Sequence, residues 1–192
     1  MSDRQETHAY EQAKQRAQEA WRSCLDGDVY HAQELLLRTR TEVKRLGGDL
    51  PILSHFEGGD SGKSASFVTR SYAEAEAWGW LEMASGLYQL QRDRPGASLM
   101  HFKRAWRIWR PWSTLAADET RKLNAARERV RAALWLSASW SRMTSERAAR
   151  VAEAVWRAAL SDIARLDAGD LLAETTRQQS QLPPMPETDH EF

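Results

Sequence analysis

Residue types that could do chemistry come together first at Gly58-Gly59-Asp60-Ser61-Gly62-Lys63-Ser64. Backbone amides in such a run can cradle a phosphate, and a lysine can neutralise one. The spacing argues against it. A phosphate-binding loop puts about four residues between its first glycine and the Gly-Lys-Ser, whereas three separate Gly58 from Gly62, with Glu57 where the glycine is needed. Such a loop also follows a buried strand, and only Pro51 to Phe56 could be one, so the run reads as a flexible loop. His8, His31, His55, His101 and His190 stand singly, with no second histidine four residues away and no cysteine pair to complete a metal site. Glu74 and Glu76 are two apart and diverge on a helix, so they cannot share a proton or a metal. Local sequence brings no nucleophile, base and orienting group together. The expectation is therefore no enzyme, with no catalytic residue, cofactor or metal.

The other chemistry on offer is recognition. Tryptophan occurs nine times, at 21, 78, 80, 106, 109, 112, 135, 140 and 156, against four Phe and four Tyr. Large amphipathic rings either fill gaps between helices or anchor a partner at an interface, and core filling is the first reading for each. Around Pro95 to Arg110 the residues separate into faces at 100° per residue. Ser98, Phe102, Ala105, Trp109 and Trp112 fall on one side with Ile108 beside them. Lys103, Arg107 and Arg110 form a basic stripe on the other, flanked by Leu99, Met100 and Trp106. A helix with one neighbour does not need those three apolar residues. Either this helix packs on two sides inside a stack, or Leu99, Lys103, Trp106, Arg107 and Arg110 are a partner-binding surface.

Charge favours an acidic ligand near that segment. Residues 92–131 hold eleven basic side chains against four acidic ones, while the stretch from Glu174 to Phe192 holds four acidic side chains against Arg177. The ligand could be a partner protein, a nucleic-acid backbone, or this chain's own C-terminus. Interleaved Arg and Trp would also suit single-stranded nucleic acid.

The elements that would position these residues are helices. Apolar positions three and four apart run through most of the 192 residues. Tyr10, Ala13, Ala17, Ala20, Trp21 and Cys24 form the first stripe, and Ala32, Leu35, Leu36, Thr39, Val43 and Leu46 the second, closed by Gly47-Gly48. The short Gly27-Asp28 turn makes the two antiparallel. Residues 48–66 read as a long loop. A third helix carries Ala73, Ala77, Trp80, Leu81, Ala84, Leu87 and Tyr88, and a fourth begins at Pro95 and is expected to end at Pro111. A fifth, from about Ala116–Asp118 to Ser141, faces Leu123, Ala126, Val130, Leu134, Ser137 and Ala138 inward. A sixth starts at a Thr144 or Ser145 cap, turns Ala148, Val151, Ala152, Val155, Ala159, Ile163 and Leu166 inward, and closes at Gly169. A short seventh, from Asp170 to about Gln179, docks or frays.

Three successive hairpins invite comparison with helical repeats. Gly27-Asp28-Val29-Tyr30-His31-Ala32 resembles the Gly-Asp-x-x-x-Ala turn of a tetratricopeptide repeat. Trp78 and Leu81 resemble that repeat's opening Trp-x-x-Leu, and Phe102, Ala105 and Pro111 its closing residues. Trp78 to Ala105 is one helical turn too long for the repeat, and the third hairpin barely matches. The resemblance implies a right-handed stack whose concave face holds a peptide or helix from a partner.

The reading is an all-α chain of antiparallel helical hairpins, stacked as a short tetratricopeptide-like solenoid or a helical bundle of six to seven helices. Residues 1–8 are expected as a tail, 9–180 as a single domain, and 181–192 as a disordered acidic and proline-rich tail. Lys plus Arg equals Asp plus Glu at 27 each, so no overall field steers the chain to nucleic acid. One cysteine fits a reducing compartment, and no stretch approaches a membrane span. The expected role is a protein-interaction or scaffold module, cytoplasmic, binding a peptide or helix of a partner or a second copy of itself. Nucleic-acid binding through residues 92–131 is the alternative.

Overall fold

The computed structural model describes residues 3–48 and 69–184, the side chain of Leu115 apart. The glycine-rich run at 58–64, the candidate strand at 51–56, His55, His190 and residues 185–192 of the expected tail lie outside the described residues, as does nearly all of the expected loop. Seven helices make up the described fold, with no strand among those residues: α1 (Asp3–Leu25), α2 (Val29–Gly47), α3 (Tyr72–Gln91), α4 (Pro95–Leu115), α5 (Glu119–Ser141), α6 (Glu146–Leu166) and α7 (Gly169–Gln179). In chain order each helix through α6 packs on the next. α1 also lies along α3, and α7 rests on α5 and α6.

Caps set most of the boundaries. The side chains of Asp28, Ser71, Asp118 and Ser145 each accept a hydrogen bond from the backbone amide three residues on, which satisfies one otherwise orphaned donor. Gly48, at φ 80°, ends α2.

Four expectations need correction. α1 begins at Asp3, so residues 3–8 are its first turns rather than a tail, and Asp3 and Glu6 suit the helix dipole there. Asp167, not Gly169, takes the left-handed position after α6, and its amide bonds the Ile163 carbonyl. Leu123 is 47% exposed, because α5 turns Ala125, Val130, Ala132, Leu134 and Trp135 inward instead. Pro111 sits inside α4, which continues to Leu115. A proline there forfeits the bond to the Arg107 carbonyl and crowds that carbonyl, and the last turn is held by its contacts. The Trp112 indole donates to Thr69 Oγ1 at 2.8 Å and meets Tyr72 edge-on at 5.3 Å.

The core centres on α3, which is buried from Ala77 through Tyr88. Its neighbour α4 approaches closely because two glycines make room. A Cβ on Gly79 would lie 2.5 Å from Trp109 Cε2, and one on Gly86 would lie 2.8 Å from Phe102 Cζ. Gly79 and Gly86 are seven apart on α3, and Phe102 and Trp109 are seven apart on α4. Two turns of one helix thus receive two rings from the other in antiparallel register. From this seam the ring contacts continue: Phe102 stacks on Trp135 at 5.8 Å, Trp135 meets Trp21 edge-on at 5.0 Å, and Trp21 meets Trp80 at 6.1 Å. Four helices are joined through four rings, each pair contributing about 0.5–1.5 kcal/mol beyond its burial.

The start of α3 is pinned separately. Arg70 donates from its guanidinium to Tyr10 OH at 3.1 Å and to the Leu46 carbonyl at 3.3 Å, while its amide bonds Glu74 Oε2 at 2.6 Å. Gly47 lies so close to Tyr10 and Glu74 that a Cβ would fall 2.6 and 2.5 Å from their oxygens.

These close approaches outweigh helix propensity. Alanine is better than glycine in a helix by about 1 kcal/mol, yet Gly79→Ala should destabilise by about 1–3 kcal/mol through overpacking against a rigid indole. Gly96→Ala, where nothing lies within 4 Å of the new methyl, should stabilise by about 0.4–1 kcal/mol. Urea unfolding of both variants checks the pair, and a stabilised Gly79→Ala would refute the seam.

Candidate functional site

Rotation of α4 is fixed by Phe102 and Trp109 entering the α3 seam, and this decides what α4 shows on its other side. Leu99, Lys103, Trp106 and Arg110 follow spacings of four, three and four, which at 100° per residue form one stripe, with Arg107 at its edge. Lys103 and Arg110 are exposed, and Leu99, Trp106 and Arg107 are half-buried. Burial lowers the affinity of the Arg107 guanidinium for its proton.

Within the stripe, Trp106 and Arg110 are brought together. The guanidinium carbons of Arg110 and of Arg129 on α5 lie 5.8 and 5.9 Å from the centre of the Trp106 ring. Each such contact is worth roughly 0.5–1 kcal/mol at an exposed site. Arg129 is braced by Ser113 Oγ at 3.2 Å and by Asp162 of α6 at 3.5 Å. Leu99 and Lys103 lie one to two turns from this cluster. Sequence reasoning missed Arg129, because which α5 residue faces Trp106 depends on how α4 and α5 pair.

Five other tryptophans are core. Trp21, Trp78, Trp80, Trp109 and Trp135 are buried, while Trp112, Trp140 and Trp156 are half-buried like Trp106.

A cleft of about 160 Å³ opens on a different side, lined by Lys14 and Gln18 of α1, Tyr72, Glu76 and Trp80 of α3, and Asn124, Arg127 and Glu128 of α5. Small-molecule sites run to roughly 300–1,000 Å³, so this one suits a single side chain. Its charges are largely matched internally. Lys14 bonds Glu76 at 2.5 Å, Arg131 bonds both oxygens of Glu128 at 2.8 and 2.9 Å, and the Arg131 guanidinium lies 5.3 Å from the Trp80 ring centre. Burial pushes the Glu128 carboxyl above the usual range, against the pull of Arg131. The Tyr72 hydroxyl is buried with no hydrogen-bond partner among the described residues. Burial, then the charges of Glu76 and Glu128, push its ionisation up.

Of the described histidines, His101 alone faces a buried carboxylate. Its Nδ1 lies 2.7 Å from Glu82 Oε2, with Arg104 at 3.9 Å from the same oxygen. An imidazole oriented by a carboxylate is half of a nucleophile-activating arrangement, and no described hydroxyl or thiol hydrogen-bonds to His101. His8 and His31 stand beside Glu11 and Glu19 at the surface. Among the described residues no three or more His, Cys, Asp or Glu gather as a metal site, and no helix is long and apolar enough to cross a membrane. Cys24 is fully buried and its thiol is pushed up to about 12 by burial, so it is a packing residue rather than a nucleophile.

Three buried acids share one sign of pH dependence. Burial raises Cys24 from 9.0 to about 12, and raises Tyr10 and Tyr72 above 10.0. Their neutral forms are favoured by the fold, so stability is whole below about pH 9 and falls as pH rises through 9–12. Cys24 accounts for about 4 kcal/mol of that loss at most. Cys24→Ala should flatten the alkaline limb of a stability-against-pH curve, and an unaltered slope would sink the assignment. Comparison with known proteins brings no match: no family model, no curated protein and no solved structure matches this chain.

Proposed function

We propose that this chain is a protein-interaction module, docking a partner through the α4 stripe of Leu99, Lys103, Trp106, Arg107 and Arg110, completed by Arg129 of α5. The observation that carries the reading is Trp106 itself, half-exposed with two guanidinium groups near its ring. Tryptophan and arginine are the residue types that dominate binding energy at interfaces, and a ring already fixed by its neighbours loses little freedom when a partner covers it. The stripe's heptad-like spacing suits a helix, from another protein or from a second copy.

The tetratricopeptide-like reading belongs to this proposal. It is supported by α1, α3 and α5 lining one cleft, as the first helices of three stacked hairpins would. The alternative of nucleic-acid binding through residues 92–131 draws less support. Arg104, Lys122, Arg127, Arg129 and Arg131 each stand within 4 Å of a carboxylate, which lowers the charge offered to phosphates.

Trp106→Ala combined with Arg110→Ala should keep the helical circular-dichroism signal while lowering the unfolding midpoint, because the Trp106 ring also packs against the core. It should weaken association at least about 30-fold, the loss expected for one hot-spot tryptophan. Light scattering over a concentration series reads self-association, and quantitative co-purification reads a separate partner. Unchanged association in the variant would refute the surface, and salt-sensitive capture of an oligonucleotide by wild type would favour the alternative.

A further inference from the structure

On the face of α5 opposite Arg129, the chain already holds an acidic helix of its own. α7 runs beside α5 in the same direction. Arg127 bonds Asp170 at 2.5 Å, Arg131 bonds Glu174 at 3.2 Å, and Gln179 donates to the Leu134 carbonyl at 3.2 Å. Beneath these bonds Leu171 is buried in a small apolar cluster with Val130, Leu134 and Ile163, separate from the main core. Two carboxylates one turn apart, each beside an inward-facing side chain, thus read two arginines one turn apart.

The fit is incomplete. Arg131 Nε, Thr175 Oγ1 and Gln178 Oε1 are buried at this contact with no hydrogen-bond partner among the described residues. Buried polar groups left unpaired carry their full desolvation penalty, so a helix that pairs or replaces them would sit better than α7 does. α7 is also short. It has 11 residues and no side-chain cap, and it follows Asp167, a non-glycine residue at φ 49° and ψ 46°.

We propose that α7 is the resident occupant of a docking site for an acidic amphipathic helix of a partner protein, which displaces it and engages Arg127 and Arg131. The ligand repeats the pattern of Asp170-Leu171 and Glu174-Thr175, an acid followed by an inward residue at an interval of four. It carries an apolar residue where α7 has Thr175, and keeps Gln178, whose Nε2 donates to Glu174 at 3.0 Å. This surface is on the far side of α5 from Trp106, so the inference stands whether or not that stripe binds anything.

The test uses the full chain and a fluorescein-labelled synthetic peptide of residues 168–184 bearing Thr175→Val. The peptide should bind wild type, and bind a chain with Asp170→Asn and Glu174→Gln at least tenfold more tightly. Arg131→Gln should weaken it at least tenfold, and a peptide with Asp170→Lys and Glu174→Lys should not compete. On adding peptide, amide hydrogen exchange across 171–178 should accelerate while that of α3 stays unchanged. The Trp106→Ala, Arg110→Ala chain should bind as wild type does, which separates this site from the other surface. Equal binding of the acidic and charge-reversed peptides, no binding to either chain, or α7 amides exchanging only as slowly as those of α3 would overturn it. So would a dimer exchanging α7 between copies, or an oligonucleotide taking the peptide's place in an Arg131-dependent way.

Discussion

Two missing side chains govern this architecture. Because Gly79 and Gly86 carry no Cβ, α4 can set Trp109 and Phe102 against the backbone of α3, and no larger residue at either place would admit the rings. The rings then have no freedom to move, and neither does the rotation of α4 about its axis. Phe102 carries the constraint onward by stacking on Trp135, which places α5, and Trp135 carries it to Trp21 and α1. A net of large rigid rings is sensitive to small volume changes, since interiors at crystalline density have nowhere to put an extra methyl.

Charge acts differently here. The sequence balances 27 basic against 27 acidic residues, and the fold spends many of them locally, at helix seams. Lys14 with Glu76 joins α1 to α3, Arg16 with Glu42 joins α1 to α2, Arg129 with Asp162 joins α5 to α6, and Arg131 with Glu174 joins α5 to α7. Exposed pairs contribute little to stability, a few tenths to about 1 kcal/mol. Their effect is to fix which helix faces which, and to convert a sequence segment that looks strongly basic into a surface of mixed sign.

How much of this is legible in the sequence divides along the same physical line. Periodicity alone gives the helices, because a buried stripe repeats every 3.6 residues wherever it is read: Tyr10 through Cys24 on α1 and Phe102, Ala105 and Trp109 on α4 are buried as their spacing says. Local rules fail where a tertiary contact overrides them. Pro111 reads as a stop until Thr69 and Tyr72 are found holding the turn beyond it. Gly169 reads as a cap until Asp167 takes that conformation. Gly79 and Gly86 read as weak points in a helix, with no sign in their own neighbourhood that rings 16 to 30 residues further on require them. For the candidate surface, the α4 stripe is visible as a pattern, whereas Arg129 enters it only through the pairing of α4 with α5, a distance no spacing rule encodes.

That pairing leaves α5 with two cationic faces whose chemistry differs. Arg129 on one side lies near an indole and an exposed surface, and its carboxylate partner Asp162 is shared with Arg165. Arg127 and Arg131 on the other side are engaged by acids of a short helix, and Arg131 is bonded by Glu128 of its own helix at the same time. In the displacement proposed above, Glu128 keeps Arg131 in place when Glu174 leaves. A guanidinium losing its only partner at a half-buried site would pull in solvent or rearrange, but one whose Nη1 also donates to both oxygens of a carboxylate on its own helix keeps its direction. Arg131 is therefore paired twice, while the more exposed Arg127 pairs with Asp170 and has water to replace it.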